Sequence, residues 1–406
     1  MRRLIAILVL LAAPLPATTA ALTGASQRLT NPLQLNGQPL SCPDPDVFRV
    51  EGLHEYVAAC TSNYGEDNPG GKRSAAFPMY VSKDLQHWQF RSFIFPPGRA
   101  PGLTLDHHAP PGYDGHYWSP EIHRIAGRWV VYFAAGIHPD KFARLNRTIL
   151  PGTFGLFVAW TDQLFGGHWH SRLLHYTGQL NHVPHNPKEL QGGVIDPSVA
   201  RDPVTGTLYI AYAKQRNQIF VGQLSTDGLT MQSHVHLAFG ANYPWECDPR
   251  GVSVGNGCTV EGPVLYADRQ HGVLDMFFNS ASTWRASYKV GVAVSADPMK
   301  TWVTYPKPIL QSGHGLFGPG IGAQPVVGPT GSTYMFFHVQ LHPSHVSQSR
   351  YLAAGSLRYV NGHQVLIRDP ATSPTAGASA PDPSARPVPV PQVDGGVVER
   401  GVVVGP

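Results

Sequence analysis

Short apolar runs, each led by a glycine and closed by small or polar residues, repeat along this chain. The run from Val273 to Phe278 follows Gly272, and four similar runs stand elsewhere in the sequence. No long segment carries apolar residues at helical spacing, and turn residues return about every 8–12 positions, which favours short strands. The pattern therefore predicts an all-β fold. The glycines that lead the five runs are Gly52, Gly127, Gly206, Gly272 and Gly331.

A polar side chain beside a proline precedes each run, and these prolines lie 62 to 77 residues apart. Such intervals fit a sheet of about four antiparallel strands with its loops. One sheet cannot bury both of its faces alone, whereas a closed ring of sheets buries them all. We therefore expect a five-bladed β-propeller around a central channel, with a β-sandwich as the alternative. The prolines are Pro45, Pro120, Pro197, Pro263 and Pro325.

The two ends of the chain differ from its repeated part. Residues 1–20 combine Met1-Arg2-Arg3, a short apolar core and small residues, which is typical of a secretory signal peptide and too short for a membrane span. Residues 21–368 hold the propeller. Residues 369–406 are rich in proline, alanine and valine without a pattern that buries a face, so we expect a disordered tail. The predicted product is a secreted protein, extracellular or periplasmic.

The four cysteines fall into two close pairs, Cys42 with Cys60 and Cys247 with Cys258. In an exported chain, an even count in local pairs predicts two disulfides that each close a small loop. A metal site is the alternative, but neither pair has the spacing of about two to four residues that zinc knuckles use.

The charge of the chain is small. The formal net charge is +4, charged residues make up 14 % of the chain, and no lysine or arginine run follows the first three residues. This argues against a nucleic-acid partner and suits neutral, hydroxyl-rich ligands. We expect a monomer with no membrane contact after signal cleavage.

Three of the proline-linked polar residues are acids: Asp44, Asp196 and Glu261. In a propeller the innermost strands all begin at one face of the channel, so these side chains are expected to meet there. Like charges gathered in one place reduce stability unless they serve a function. Glycoside hydrolysis needs one carboxylic acid and one carboxylate, and a third carboxylate nearby favours the protonated form of the acid. The three acids therefore indicate a glycosidase site.

Four motifs, taken in order, support the same conclusion: Asp44-Pro45, Trp118-Ser119-Pro120-Glu121, Ile195-Asp196-Pro197-Ser198-Val199 and Val260-Glu261-Gly262-Pro263. Together they resemble the blade motifs of glycoside hydrolase family 43, over about residues 40–340. The resemblance implies a five-bladed propeller and an inverting glycosidase that acts on arabinose- and xylose-containing plant polysaccharides.

The resemblance also implies roles for the acids. Asp44 is the general base on the water, Glu261 is the general acid on the glycosidic oxygen, and Asp196 tunes the pKa of that acid and holds it in place. An inverting pair is expected to lie about 6.5–9.5 Å apart to leave room for water. Asp46 is the rival for the base, because alternation along a strand would put it on the same face as Asp44. The resemblance favours Asp44.

Other positions are candidates for binding the sugar. Trp118 can offer its ring to a sugar face, or it can be a packed residue at a strand start. Arg285 and Gln324 are expected to contact substrate, whereas Glu121 is interpreted as structural or peripheral.

A metal site stays unknown from the sequence. Relatives often carry a histidine after Gly-Pro-Gly near a calcium ion in the channel, whereas Gly318-Pro319-Gly320 is followed here by Ile321. His314 and Gln324 are candidate stand-ins for that histidine. No cofactor is expected to be required, and a structural calcium ion stays an open question.

The expected protein is a secreted inverting glycosidase of the α-L-arabinofuranosidase, exo-arabinanase or β-xylosidase type. The Glu-Gly-Pro form of the acid motif leans away from endo-arabinanases. The alternatives are a non-catalytic carbohydrate-binding propeller and a related propeller that transfers fructosyl groups with retention.

Overall fold

Strands build nearly all of the regular structure in the computed structural model of this protein, and the described residues contain no α-helix. The strands form five separate antiparallel-based sheets, which succeed one another along the chain. The predicted all-β fold of five blades is confirmed. The structure describes residues 28–62, 75–96, 117–136, 154–175, 193–214, 217–232, 235–248, 258–269, 271–283, 285–300, 302–343, 350–360 and 363–368.

Each blade starts with an innermost strand and proceeds outward, strand by strand. Blade one contains β3 (Asp46–Val50), β4 (Glu55–Ala59), β5 (Ala76–Ser82) and β6 (His87–Phe95), extended by β1 (Gln34–Leu35) and β2 (Gln38–Pro39). Blade two contains β7 (Tyr117–Ile125), β8 (Arg128–Gly136), β9 (Phe154–Thr161) and β10 (His170–His175). Blade three contains β11 (Val194–Arg201), β12 (Leu208–Lys214), β13 (Gln218–Gln223) and β14 (His236–Gly240). Blade four contains β15 (Val260–Asp268), β16 (Val273–Ser280), β17 (Lys289–Ser295) and β18 (Val303–Thr304). Blade five contains β19 (Phe317–Ile321), β20 (Val326–Val327), β21 (Thr333–Gln340), β22 (Tyr351–Val360) and β23 (His363–Arg368).

The hydrophobic core lies between the blades. Five apolar clusters are present, and each combines side chains from two neighbouring sheets. One of them joins blade five to blade one, where Phe336 packs edge-on against Trp88 at 6.5 Å between ring centroids. Because every sheet buries both of its faces against neighbours, the ring is closed.

A segment before the first blade reinforces this closure. Leu33 donates its N–H to the carbonyl of Leu352 in blade five, and β1 pairs in parallel with β6 of blade one. The Asn31 side chain exchanges two hydrogen bonds, of 2.8 and 2.9 Å, with the backbone of Ala354. The segment is thus held by the first and the last blade together.

The start of every inner strand contains a left-handed residue directly before a proline. Its φ is 43° at Asp44, 50° at Ser119, 56° at Asp196, and 55° at both Gly262 and Gly318. In blades two to five the ladder also has a bulge at this point. A left-handed turn with a bulge redirects the side chains around it.

This turn corrects the sequence-based marker of blade five. The equivalent proline is Pro319, which follows Gly318 in the innermost strand, whereas Pro325 precedes the short strand β20. The turn also shows that Glu261 lies one position earlier than the other two acids, because Gly262 takes the left-handed place in blade four. A Cβ at Gly262 would lie 2.2 Å from the Asn279 amide nitrogen, so the turn needs glycine here.

Polar side chains join neighbouring blades near these turns; three of them lie on inner strands and the fourth, Asn279, lies on β16. In each case a side-chain oxygen accepts the backbone N–H of the next blade, so a buried donor is satisfied and the spacing of two blades is fixed. The pairs are Asp46 with Ile122 (2.7 Å), Glu121 with Val199 (2.8 Å), Ser198 with Leu265 (2.8 Å) and Asn279 with Ile321 (2.7 Å).

Both predicted disulfides are present. Cys42 is bonded to Cys60 and Cys247 to Cys258. The first ties the segment before β3 to the residue after β4, beside Asp44. The predicted signal peptide and the tail lie outside the described residues. Among the described residues, no helix has the length and apolar character needed to cross a membrane.

Candidate active site

A cavity opens at the end of the ring where the inner strands begin, and the three predicted acids lie together in its wall. Asp44, Asp196 and Glu261 line it from blades one, three and four. Ser119 and Trp118 contribute from blade two, so residues far apart in the sequence share one small space. The predicted convergence of the acids is therefore observed.

Asp44 is held by a buried cation. Arg350 contacts both of its carboxylate oxygens, at 2.6 and 3.2 Å, and the Thr61 hydroxyl donates to Oδ2 at 2.8 Å. Burial acts to raise the pKa of Asp44, but the charge of Arg350 and the hydrogen bond from Thr61 outweigh it, so the pKa lies below its ordinary value. Asp44 is therefore ionised at neutral pH, as a general base must be.

Asp196 is in the opposite situation. Burial, together with the charges of Glu261 and Asp44, raises the pKa of this carboxyl to about 7. The Ser119 hydroxyl donates to its Oδ1 at 2.7 Å, and the N–H of Gly262 donates to its Oδ2 at 3.0 Å. Because Gly262 follows Glu261, Asp196 holds the backbone that carries Glu261.

Glu261 is buried with 7 % of its surface exposed, and it accepts a hydrogen bond of 2.9 Å from the Tyr288 hydroxyl. Burial and the nearby charge of Glu261 raise the pKa of Tyr288 well above its ordinary value, so the hydroxyl keeps its proton and remains a donor. The Tyr288 ring in turn stacks on the imidazole of His338, at 6.1 Å and 12° between planes.

His338 completes a closed circuit around the cavity, because its Nδ1 accepts the backbone N–H of Asp44 at 3.2 Å. On the other side of Asp44, the circuit continues through Thr61, whose Oγ1 accepts the N–H of Ser119 at 2.7 Å. The links are hydrogen bonds except for the peptide bond between Glu261 and Gly262 and the stack of Tyr288 on His338. In order, the circuit joins Asp44, Thr61, Ser119, Asp196, Gly262 with Glu261, Tyr288 and His338.

The predicted sugar-binding residues are placed differently from one another. Trp118 lines the cavity and stacks on Phe154 at 4.2 Å between ring centroids. Arg285 is not among the described cavity-lining residues, and its Nε lies 3.3 Å from the carboxylate of Asp248. A contact of Arg285 with substrate stays a prediction.

Gln324 and Glu121 belong to the contacts that join blades. The Gln324 amide nitrogen donates to the carbonyl of Val199 at 2.8 Å and to Glu121 at 3.3 Å. Glu121 also receives the N–H of Val199 and lies 2.5 Å from the His123 ring. These contacts fit a structural role for Glu121, which also lines the cavity, whereas Gln324 is engaged in blade packing and is absent from the described cavity wall.

Asp46 is turned away from the cavity. Its carboxylate accepts the N–H of Ile122 in blade two, and it is absent from the described cavity wall. Simple alternation would have put it on the same face as Asp44, but the left-handed φ of 43° at Asp44 breaks the alternation. Burial and the charge of Glu121 raise the pKa of Asp46 well above its ordinary value.

A structural calcium ion in the channel stays a prediction. His338 Nδ1 accepts the N–H of Asp44 at 3.2 Å and also lies 3.5 Å from Asp44 Oδ1, whereas its Nε2 is buried without a hydrogen-bond partner among the described residues. Among the described residues, no group of three or more histidine, cysteine, aspartate or glutamate side chains is placed to hold a metal.

Four important residues were not identified from the sequence: Thr61, Tyr288, His338 and Arg350. None of the four belongs to the motifs on which the family resemblance rests. Two partners of Asp44, His338 and Arg350, lie 294 and 306 residues away in the chain, in segments without a distinctive motif.

A five-bladed propeller whose central cavity is lined by the ionised carboxylate of Asp44 and by further carboxyl groups, among them Asp196 and Glu261, has the architecture of a glycosidase. The family model described as glycosyl hydrolases family 43 matches residues 37–367 of this chain. The chain belongs to that family, and the resemblance inferred from its motifs is confirmed.

Known proteins of this kind are similar to the chain at low identity. An extracellular exo-α-(1→5)-L-arabinofuranosidase of Streptomyces avermitilis is 25 % identical over 332 residues, and the match covers 78 % of this chain. It spans only 57 % of that longer relative.

Two solved structures share the fold. The crystal structure of a thermostable family-43 glycoside hydrolase has a TM-score of 0.63 and 20 % identity, over 87 % of this chain and 99 % of the other. A xylan β-1,4-xylosidase from Bacillus halodurans has a TM-score of 0.59 and 17 % identity, over 89 % of this chain and 60 % of its own.

Proposed function

We propose that this protein is a secreted, inverting glycoside hydrolase that releases L-arabinofuranosyl or D-xylosyl residues from plant-type polysaccharides and oligosaccharides. The observation that carries the proposal is the convergence of Asp44, Asp196 and Glu261 on one cavity, in three different environments. The extracellular arabinofuranosidase similar to this chain favours arabinose as the first sugar to test.

The proposed reaction uses the three acids in separate roles. Glu261 gives its proton to the glycosidic oxygen as the bond from that oxygen to the anomeric carbon breaks. Water attacks the opposite side of the anomeric carbon, and Asp44 takes the proton that the water loses. The sugar leaves with inverted configuration, and proton exchange with solvent returns both carboxyl groups to their starting states.

Asp196 acts on this reaction through Glu261. Each of the two carboxyl groups disfavours ionisation of the other, so the pair retains a proton up to about pH 7, and in the proposed reaction that proton resides on Glu261. The hydrogen bond from the N–H of Gly262 to Asp196 fixes the strand start. Export is supported by the two disulfides, which persist in oxidising compartments.

The test is hydrolysis of nitrophenyl α-L-arabinofuranoside, nitrophenyl β-D-xyloside and the matching oligosaccharides. The wild-type protein should release sugar from at least one series, and Glu261→Gln should lose activity toward the oligosaccharides while it still binds them. Binding without release from any pentoside or oligosaccharide would instead indicate a carbohydrate-binding propeller.

A further inference from the structure

The stacked pair of Tyr288 and His338 is the one link of the described circuit that is neither a hydrogen bond nor a peptide bond. Tyr288 directly precedes β17 in blade four, and His338 lies on β21 in blade five. Tyr288 donates to Glu261, and His338 accepts from Asp44. The pair therefore stands between the acid and the base.

The surroundings of the pair are shaped to hold it. His338 has no exposed surface, and Tyr288 is 3 % exposed. Gly320 lies opposite His338 in the ladder, and a Cβ there would be 2.5 Å from the His338 ring and 2.5 Å from Tyr288 Cε1. Only glycine leaves both rings in place, because real Cβ atoms do not approach other atoms so closely.

The chemistry of His338 fits an accepting role. Burial and the charge of Arg350 lower the pKa of His338 to about 3, so the ring is neutral at working pH. A neutral imidazole has one lone pair, and this one is directed at the N–H of Asp44. The buried Asp44 N–H would otherwise be left without a partner, which is costly in a protein interior.

We propose that Tyr288 and His338 form one positioning unit, which sets the general acid Glu261 and the general base Asp44 in register across the boundary between blades four and five. The proposal rests on the roles assigned to these two acids under the proposed function. Neither ring contacts the reacting atoms in this scheme, and both act through the carboxyl group or backbone that they hold.

Tyr288→Phe tests the half of the unit that serves the acid. The variant keeps the stack and loses only the hydroxyl, so kcat/KM toward an unactivated oligosaccharide should fall about tenfold, the size of one hydrogen bond to a charged group. A dinitrophenyl pentoside, whose leaving group departs without a proton, should be hydrolysed almost as before. The basic limb of the pH profile should move to higher pH, because a bond that favours the carboxylate form is gone.

His338 is tested with two replacements that separate its contacts. His338→Phe keeps a ring for the stack and loses the acceptor, whereas His338→Asn keeps an acceptor near Nδ1 and loses the stack. We expect both to lower kcat on activated and unactivated substrates alike, with KM little changed, because the base is needed for every substrate. Wild-type kcat in both variants would overturn the role of His338.

Gly320→Ala displaces the pair without removing any polar group. We expect a fall in kcat on the order of 10²-fold, because shifts near 1 Å in catalytic geometry have effects of that size. Gly52→Ala is the matched control, since a Cβ there meets nothing within 4 Å. Thermal melting of every variant checks that it folds.

Glu261→Gln separates the failure of this proposal from failure of the proposed function. It should show the same dependence on the leaving group as Tyr288→Phe, but larger. If Glu261→Gln shows that dependence and Tyr288→Phe does not, the positioning unit is wrong and the acid assignment stands. If Glu261→Gln behaves like wild type on unactivated substrates, the assigned acid role itself is wrong. If Tyr288→Phe loses the same fraction of kcat/KM on both substrates and its pH profile is unchanged, the role of Tyr288 is packing alone and the proposal is wrong.

Discussion

The guanidinium of Arg350 contacts both carboxylate oxygens of Asp44, across 306 positions of sequence, at 2.6 and 3.2 Å. Both side chains are largely buried. A bidentate pair of this kind fixes the orientation of the carboxylate as well as its charge. It therefore sets the direction in which the proposed base faces the cavity.

Replacement of Arg350 by glutamine should move the acidic limb of the kcat/KM profile to higher pH. The charge of Arg350 is the largest effect that lowers the pKa of Asp44, and without it the raising effect of burial would be opposed by weaker effects such as the hydrogen bond from Thr61, so that pKa would rise. Since the base must be ionised, activity near neutrality should drop about 10²-fold and recover in part at higher pH.

The control for this variant is Arg358→Gln, an exposed arginine on β22, the strand that Arg350 directly precedes. It should leave the pH profile unchanged. If the pH profile of kcat/KM in Arg350→Gln keeps its shape and only its plateau is lower, the electrostatic role of Arg350 is contradicted. Arg350 would then act by orienting the carboxylate of Asp44.

Asp44→Asn and Asp46→Asn should separate the two candidate bases. Asp44→Asn should reduce hydrolysis of pentosides by at least about 10²-fold, because it cannot accept a proton from water. Asp46→Asn should remain active, because its amide oxygen can still accept the N–H of Ile122. The opposite result, with an inactive Asp46→Asn and a fully active Asp44→Asn, would reverse the assignment.

The stereochemistry of the product tests the inverting mechanism. The anomer released first should have the configuration opposite to that of the substrate, as proton NMR recorded before mutarotation would detect. Inversion also requires the carboxyl groups of Asp44 and Glu261 to lie about 6.5–9.5 Å apart. A retained anomer would favour a covalent intermediate and the fructosyl-transferring type of propeller.

Asp275 offers a stability test away from the cavity. It is 3 % exposed on β16, and its Oδ2 is buried without a hydrogen-bond partner among the described residues. Burial and the charge of Asp268 raise the pKa of Asp275 to about 7, above its ordinary value of 3.8. The folded state therefore binds the proton more tightly than the unfolded state, and stability falls as pH rises between these two values.

Asp275→Asn removes this loss. The difference in melting temperature between the variant and the wild type should increase by at least about 1–2 °C as the pH rises from about 4 to about 7, and it should be constant above that pH. Activity at saturating substrate should not change. Asp162→Asn, at an exposed position, is the control. A difference that is constant with pH would contradict the linkage.

Much of the fold could be predicted from the sequence, because its signals are local. Alternation of apolar residues with turns specifies strands, and the proline-linked motifs recur once in each blade. The cysteine pairs are close in sequence, so their bonding needed no knowledge of the fold. Blade five was misplaced in part, because Gly318-Pro319 carries no polar side chain while Gln324-Pro325 imitates the motif.

The sequence by itself determined the five blades, the disulfides and the three acids that meet in the channel. Only the tertiary structure decided what each acid experiences. The left-handed turn at Asp44 separates it from Asp46, and ring closure brings Arg350 and His338 from blade five to its side. A pKa and an orientation depend on groups within a few ångströms, and those groups come from strands that are adjacent in the ring and remote in the chain.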